Sequence, residues 1–132
     1  MSLRIESHLP TDLEELIHNV IGAALEVHSR LGPGFLESIY ERALCHEFDL
    51  RHIAYECQKE IVVPYKGITI PGQRVDILVD GRLVIELKAA DAISPIHEAQ
   101  LLSSLKATGC RAGLLVNFRV TQLRNGIKRM VL

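Results

Sequence analysis

The sequence predicts an α/β fold: a single-domain αβββαβ core in which a mixed central sheet is flanked by helices, with an extra helix at the N-terminus. Apolar residues recur at helical spacing as far as Phe48, and the period changes to two from about Lys59. A helix-start signal then precedes one more continuous apolar run. At 132 residues, 48% of them hydrophobic, the chain has the size and composition of one globular domain, residues 1–132.

The first part of the chain predicts two helices. Thr11 and Glu14 stand in a capping-box pattern, which predicts the start of the first helix. Gly32, Pro33 and Gly34 predict its end. The second helix has a predicted apolar face, formed by Leu36, Ile39, Tyr40, Ala43, Leu44 and Phe48.

Strand patterns follow from residue 60. Pro64 places the first strand at an edge or a bulge, Gly67 turns the chain, and Pro71-Gly72 is expected to break it again. Two further strands, residues 74–79 and 83–88, are joined across Asp80-Gly81. Ser94 and Pro95 predict the start of a helix that runs to about residue 108. An apolar strand at 111–118, covered on both faces, and a short strand at 127–132 complete the pattern.

The loop of the hairpin around Asp80-Gly81 decides which side chains share a face. A two-residue loop would pair Val79 with Arg82 and turn Glu86 away from Asp76. A three-residue loop would pair Leu78 with Arg82, so that Asp76 lies opposite Val84 with Glu86 one diagonal step away. Only an odd-length loop places the alternating apolar residues of both strands on one face. This predicts that Asp76, Glu86 and Lys88 lie together on the other face.

Two carboxylates and an ammonium on one face predict a divalent-metal site. Neighbouring carboxylates repel each other unless a cation lies between them, and hard oxygen ligands suit Mg²⁺ or Mn²⁺. We expect Asp76 and Glu86 to bind the metal, with the backbone carbonyl of Leu87 completing the shell. Lys88 would orient or deprotonate a water, or stabilise charge on the phosphate. The alternative is an ion pair between Glu86 and Lys88 on an exposed strand.

Several motifs occur in an order that resembles the GxxExxY family of the PD-(D/E)XK nuclease superfamily over nearly the whole chain. The naming motif corresponds to residues 34–40 and includes Gly34, Glu37 and Tyr40. The nuclease motif corresponds to residues 75–79 and 84–89, followed by segments 97–102, 105–109 and 113–118. The resemblance implies a restriction-endonuclease-like core.

The resemblance also implies roles for individual residues. Asp76 and Glu86 would be metal ligands, Lys88 the catalytic lysine, and Gln100 would project into the site from the following helix. Glu37 would add a carboxylate from the preceding helix, although a carboxylate in a first turn is favoured there in any case. Ser104 departs from the pattern, because relatives often have tyrosine at that position.

The histidines of these motifs and Tyr40 do not identify ligands by themselves. His28 and His97 lack a partner at zinc spacing, which favours packed or surface histidines. Tyr40 lies on the apolar stripe of its helix and is interpreted as a core residue with a polar tip.

Charge and cysteines set further expectations. The net charge is −1, but residues 1–60 carry eleven acids against five Lys/Arg, whereas residues 61–132 carry five against ten. The basic residues after 110 either contact phosphates or form a solvated surface, and charge alone favours the second. Three widely spaced cysteines without a C-x-x-C pair predict buried free thiols. With no apolar run long enough to span a membrane, we expect a cytoplasmic protein.

Three functions remain open from the sequence. The first is a Mg²⁺-dependent nuclease that hydrolyses DNA or RNA. The second is a catalytically inactive nucleic-acid-binding or protein-binding module with the nuclease fold. The third is a metallo-hydrolase of small phosphate esters. The retained Asp76, Glu86 and Lys88 favour the first, and a chain of this size is expected to need a partner or a homodimer to bind a duplex.

Overall fold

The computed structural model describes residues 9–132 and has the predicted order of helices and strands. The elements are α1 (Thr11–Leu31), α2 (Glu37–Leu50), β1 (Tyr55–Tyr65), β2 (Ile68–Val79), β3 (Leu83–Lys88), α3 (Pro95–Thr108), β4 (Ala112–Asn117), a 3₁₀ turn (Leu123–Asn125) and β5 (Ile127–Val131).

The five strands form one mixed sheet in the order β1-β2-β3-β4-β5. The β3–β4 pair is parallel because α3 connects these strands in a crossover, and the other pairs are antiparallel. The predicted α/β class, αβββαβ core and mixed sheet are confirmed.

Two cores lie on opposite faces of the sheet. The larger joins α1 and α2 to the sheet and includes Ile77, Leu83, Ile85 and Leu87. The smaller lies under α3 and contains Ile61, Val75, Val84, Leu101, Leu105, Cys110 and Leu115. The sheet therefore separates α2 from α3, and side chains at the end of β3 can reach the space beside either helix.

The helix ends agree with the sequence prediction except at the start of α1. Pro10, not Thr11, precedes the helix, and the Pro10 carbonyl accepts hydrogen bonds from the Leu13 and Glu14 amides, each at 3.1 Å. The predicted capping box is wrong because the Glu14 carboxylate binds Arg129 instead, at 2.8 Å. The predicted start of α3 is confirmed, with Ser94 as the cap and Pro95 as the first helical residue.

The predicted break at Pro71-Gly72 is wrong, because β2 continues through it as a β-bulge. The pairing shifts between Ile61–Gln73 and Val63–Ile70, and Gly72 has a φ of 107° that an L side chain rarely adopts. Beyond the bulge, residues 62–70 form a two-stranded extension that we call the arm. Its apolar side chains are exposed, namely Val62, Val63, Tyr65, Ile68 and Ile70.

Strand β4 is buried along its whole length, as predicted for a strand that is covered on both faces. Gly113 makes this packing possible on the α3 side. A Cβ atom at Gly113 would lie 2.8 Å from Cδ1 of Leu101 and 3.1 Å from Cδ2 of Leu105. The missing side chain therefore allows α3 to approach the sheet.

The cysteine prediction is confirmed for one residue and wrong for two. Cys110 is a buried free thiol. Cys45 of α2 and Cys57 of β1 form a disulfide across 12 residues of sequence. No sequence pattern indicated this pair, because the turn between α2 and β1 brings them together and spacing alone does not reveal it.

Three residues of the basic C-terminal stretch pair with acidic residues. Arg119 lies 3.7 Å from Asp91, Lys128 pairs with Glu98, and Arg129 pairs with Glu14. These acids come from other parts of the fold, which the one-dimensional charge count could not reveal. No helix within residues 9–132 is long and apolar enough to cross a membrane.

Candidate metal-dependent active site

The hairpin between β2 and β3 has the predicted odd-length loop but a different register. The observed pairs are Ile77–Ile85, Leu78–Val84 and Val79–Leu83, so the loop is residues 80–82 and the predicted Leu78–Arg82 pair is wrong. Asp80 and Gly81 both have positive φ, and the Arg82 amide donates to the Val79 carbonyl at 2.9 Å. Continued by one residue, this register places Asp76 across from Glu86.

The backbone ladder between β2 and β3 ends just before Asp76, whose carboxylate takes the place of the next backbone acceptor. The Leu87 amide donates to Oδ2 of Asp76 at 2.7 Å. The alternation of β2 also changes at this point, because Val75 belongs to the core under α3 whereas Ile77 belongs to the larger core. The Asp76 side chain is therefore held in the gap between two separating strands.

Glu86 contacts Asp76 from the end of β3. The pKa of Glu86 is raised to about 8, chiefly by burial and then by the charge of Asp76 and a hydrogen bond to it, whereas Lys88 opposes the shift. The charge of Asp76 therefore favours the protonated form of Glu86 when no cation lies between the two carboxyl groups. Such a pair is a common feature of catalytic sites.

Glu37 and Lys88 lie beside the two carboxylates. We call the four side chains Glu37, Asp76, Glu86 and Lys88 the charged group. Glu37 is the first residue of α2, and burial followed by the charge of Asp76 raises its pKa, whereas Lys88 and the Ala89 amide lower it. Lys88 is half-buried and acts on the pKa of both Glu37 and Glu86. The structure therefore brings together four of the residues selected from the sequence.

These residues face two different cavities. Asp76, Glu37 and the backbone of Leu87 line a small hollow of about 300 Å³ beside α2, which we call the α2 hollow. Glu86 and Gln100 line a larger cleft of about 750 Å³ between α3 and the arm, which we call the α3 cleft. The site lies where the sheet separates the two cavities.

Leu87 meets the requirement for a backbone ligand but not for a side-chain one. Its side chain is 1% exposed and packs in the larger core. Its amide points to Asp76, and since the N–H and C=O of a strand residue point to the same side, its carbonyl is directed towards β2 as well.

The donor set fits Mg²⁺ better than a metal that needs a full protein cage. Within residues 9–132, no three His, Cys, Asp or Glu side chains converge to hold a metal ion. Mg²⁺ is usually bound through one or two carboxylates and keeps its remaining positions for water and substrate phosphate. The Asp76–Glu86 pair supplies that number, and its mutual repulsion is what a cation would relieve.

Two polar residues beside the site were not predicted. Gln58 donates to Glu41 at 2.6 Å and to Asp76 at 3.4 Å. Glu41 lies one helical turn after Glu37, a spacing that could have placed both on one face of α2. Gln58 had no such signal, because its own backbone departs from regular strand geometry, with a φ of 49°.

Asn117 is a third residue that sequence reasoning missed. It is 1% exposed, and its side-chain amide donates to the Ala90 carbonyl at 2.9 Å and accepts from the Ala90 amide at 3.1 Å. The Lys88 carbonyl accepts from the Phe118 amide at 3.0 Å. These bonds fix the backbone on both sides of Ala89, whose amide faces Glu37. A polar residue at the end of a fully buried strand was the available signal.

His28, His97 and Tyr40 have structural contacts. Nε2 of His28 lies 2.8 Å from the Val120 carbonyl, and Nδ1 of His97 accepts from the Ser94 amide at 3.1 Å. Tyr40 is fully buried, stacks on Phe118 at 4.3 Å, and binds the loop after α1 through its hydroxyl. The tyrosine of the motif therefore fixes the α1–α2 loop, which positions the first turn of α2.

Replacing Tyr40 by phenylalanine should lower the free energy of unfolding by about 1–2 kcal/mol. The hydroxyl donates to the Gly32 carbonyl and accepts from the Phe35 amide at 3.1 Å, and both groups would lose this partner. Urea denaturation measures the change. Tyr65→Phe is the matched control, since Tyr65 is 57% exposed and should change stability by less than about 0.5 kcal/mol. Equal effects of the two variants would contradict the role of the buried hydroxyl.

A family model described as the PD-(D/E)XK nuclease superfamily matches residues 14–130, which include α1 from Glu14 onward, the whole of α2, the charged group and β5 up to Met130. No curated protein and no solved structure matches the chain.

Proposed function

The chain belongs to the PD-(D/E)XK nuclease superfamily, and from this premise we propose that it is a Mg²⁺-dependent or Mn²⁺-dependent nuclease that hydrolyses phosphodiester bonds in DNA or RNA. The observation that carries the proposal is the contact between Asp76 and Glu86, with Lys88 acting on the pKa of Glu86. The finer assignment to the GxxExxY family rests on the motifs around Glu37 and Tyr40.

Each residue has a specific role in the proposed reaction. Asp76 and Glu86 hold the cation with carboxylate oxygens, and the Leu87 carbonyl and Glu37 lie beside them as further oxygen donors. Gln58 and the Leu87 amide keep the Asp76 carboxylate in place. Gln100 lines, from α3, the cleft that it shares with Glu86 and would contact the substrate there.

Lys88 acts on the attacking water and on the reacting phosphate. When bound, a divalent cation supplies a Lewis acid for the phosphate and lowers the pKa of a nearby water. The Lys88 ammonium donates hydrogen bonds to the water and stabilises the charge that develops on the phosphate oxygens. Its half-buried position strengthens this effect, because fewer water molecules screen its charge.

Cleavage of nucleic acid in the presence of Mg²⁺ tests the proposal. The wild type should cleave at least one of single-stranded DNA, duplex DNA and RNA with Mg²⁺ and none with EDTA. Asp76→Asn should abolish both cleavage and Mg²⁺ binding by calorimetry, because it removes the charge but keeps the size of the side chain. Asp80→Asn is the matched control on the same hairpin, since asparagine tolerates the positive φ of Asp80.

Two results would contradict parts of the proposal. Equal Mg²⁺ binding by the wild type and Asp76→Asn would show that Asp76 is not a ligand. Metal binding without cleavage of any of the three substrates would favour an inactive binding module.

A homodimer would extend the surface available for a duplex, and sedimentation with and without duplex DNA measures its formation.

A further inference from the structure

The α3 cleft is the path to the proposed site that an anionic chain can take. Its volume is about 750 Å³, and it leads between α3 and the arm to Glu86 and Gln100. Among residues 9–132, Glu86 is the only acidic residue that lines it, whereas Arg74 and Lys106 provide two cations. The α2 hollow is smaller, about 300 Å³, and three acids line it, namely Glu37, Glu41 and Asp76. A phosphodiester chain is therefore repelled from the α2 hollow and attracted to the α3 cleft.

One face of α3 forms a wall of the cleft, and the small side chains of this face leave space for a ligand. The lining positions recur at helical spacing and are mostly small: Ile96, Ala99, Gln100, Ser103, Ser104, Lys106 and Ala107. The opposite face carries Leu101 and Leu105, which are fully buried against the sheet. The packing of α3 is thus complete without the cleft, and the cleft is not a gap in the hydrophobic core.

Polar groups in the cleft remain available to a ligand. Ser104 is 3% exposed and lines the cleft beside the exposed Ser103. Lys106 is exposed and makes no ion pair with any residue that the structure describes. Arg74 is less free, because it donates to the Gln58 carbonyl at 2.9 Å and lies 4.0 Å from Glu60.

The dimensions and the apolar lining favour one strand over two. From Ile96 to Ala107 the helix rises about 16 Å, so the cleft is long enough for a short stretch of one extended strand. The volume is that of a small-molecule pocket, which accepts part of one strand and not two paired strands. Val63, Pro64 and Ile96 provide apolar surface for the faces of unpaired bases.

We propose that the α3 cleft binds a single strand of nucleic acid, with its phosphates towards Lys106 and Arg74 and one phosphodiester at Glu86 and Gln100. The inference rests on the proposed nuclease function, because the bound strand would be the substrate of that site. Binding of the strand can nevertheless be measured without its cleavage. It selects unpaired DNA or RNA as the substrate class of the site.

Binding of labelled ten-nucleotide strands in EDTA, followed by fluorescence anisotropy, tests the cleft without cleavage. The wild type should bind single-stranded DNA or RNA at least about tenfold more tightly than the matching duplex. Ser103→Tyr, which fills the cleft from an exposed position, and Lys106→Glu, which reverses a charge, should each weaken binding by about tenfold or more. Lys106→Ala should reduce the slope of log K against log salt concentration by about 0.7.

Two variants on the last turn of α1 are the matched controls. Ser29→Tyr makes the same side-chain change as Ser103→Tyr, and Arg30→Glu makes the same charge reversal as Lys106→Glu. Both lie at exposed helical positions outside the cleft and should leave binding within about twofold. Lys106→Glu keeps the test decisive if Ser103→Tyr disturbs folding, which circular dichroism detects.

The possible results separate this inference from the proposed function. Duplex binding as tight as single-strand binding, or cleft variants that behave like their controls, would overturn the cleft assignment. If Mg²⁺-dependent cleavage is then still lost in Asp76→Asn, the nuclease proposal stands and the cleft inference alone fails. If the cleft variants abolish single-strand binding but no substrate is cleaved, the cleft inference stands and the nuclease proposal fails.

Discussion

Lys88→Met should lower the rate of phosphodiester cleavage by on the order of 10²–10³-fold, the range found when a hydrogen-bond donor to the charge that develops in the transition state is removed. Methionine preserves most of the length and apolar stem of the lysine but removes its charge. Lys88 lies within electrostatic range of both Glu37 and Glu86, so its ammonium is held at the proposed reaction centre. Single-turnover cleavage with saturating Mg²⁺ measures the rate.

Metal affinity distinguishes loss of catalysis from loss of structure in this variant. Removing a positive charge beside two carboxylates should leave Mg²⁺ binding unchanged or make it tighter, whereas a misfolded site would bind Mg²⁺ more weakly. Lys128→Met is the matched control, because Lys128 pairs with Glu98 away from the charged group. Cleavage by Lys88→Met within about threefold of the wild type would exclude Lys88 as the catalytic lysine.

Glu86→Gln should stabilise the metal-free protein, and more strongly at pH 8 than at pH 5. The pKa of Glu86 is raised from 4.5 to about 8, chiefly by burial, so the folded state holds the proton more tightly than the unfolded state. This contribution is complete below the unfolded pKa and is lost as pH rises to about 8. Glutamine resembles the protonated acid at every pH, so the difference between pH 5 and pH 8 should be on the order of 3 kcal/mol.

Urea denaturation in EDTA at both pH values measures this difference. Glu15→Gln makes the same change at an exposed position of α1 and should show no comparable dependence on pH. Adding Mg²⁺ at pH 8 should stabilise the wild type more than Glu86→Gln, because the cation binds the ionised pair in the folded state. A stability difference between Glu86→Gln and the wild type that is the same at both pH values would contradict the buried position of Glu86.

Much of the fold could be predicted because local patterns and tertiary contacts agree. The switch from helical to strand periodicity, Ser94-Pro95 at the start of α3 and the apolar run of β4 each determine an element that the structure contains. The capping box at Thr11 failed because Glu14 has a stronger distant partner in Arg129. The break at Pro71-Gly72 failed because pairing with β1 continues across a bulge.

The parity of the hairpin was predictable, but its register was not. Alternating apolar residues decide only whether the loop has an odd or even length, so Val79–Leu83 and Leu78–Arg82 satisfy the pattern equally. The sequence also could not show that Asp76 turns into the gap between β2 and β3 to accept from the Leu87 amide. This contact depends on where the ladder ends.

Some residues around the charged group could be predicted from the sequence, and others could not. Glu37 and Gln100 were identified through motifs whose order resembles the GxxExxY family, and they line the α2 hollow and the α3 cleft. Gln58 depends on a distorted position of β1, and the bonds of Asn117 to Ala90 depend on the return of β4 beside β3. Such long-range contacts leave no periodic trace in the chain.

Pro64 has a consequence for the behaviour of the protein in concentrated solution. It lies in β1, the outer strand of the sheet, within an arm whose apolar side chains are exposed. An open edge with exposed apolar residues invites another chain to add a strand, which leads to aggregation. Pro64 has no amide hydrogen, and the bulge at Gly72 distorts the paired strand, so a flat ladder cannot extend along this edge. The arm can therefore remain apolar without becoming a template for fibrils.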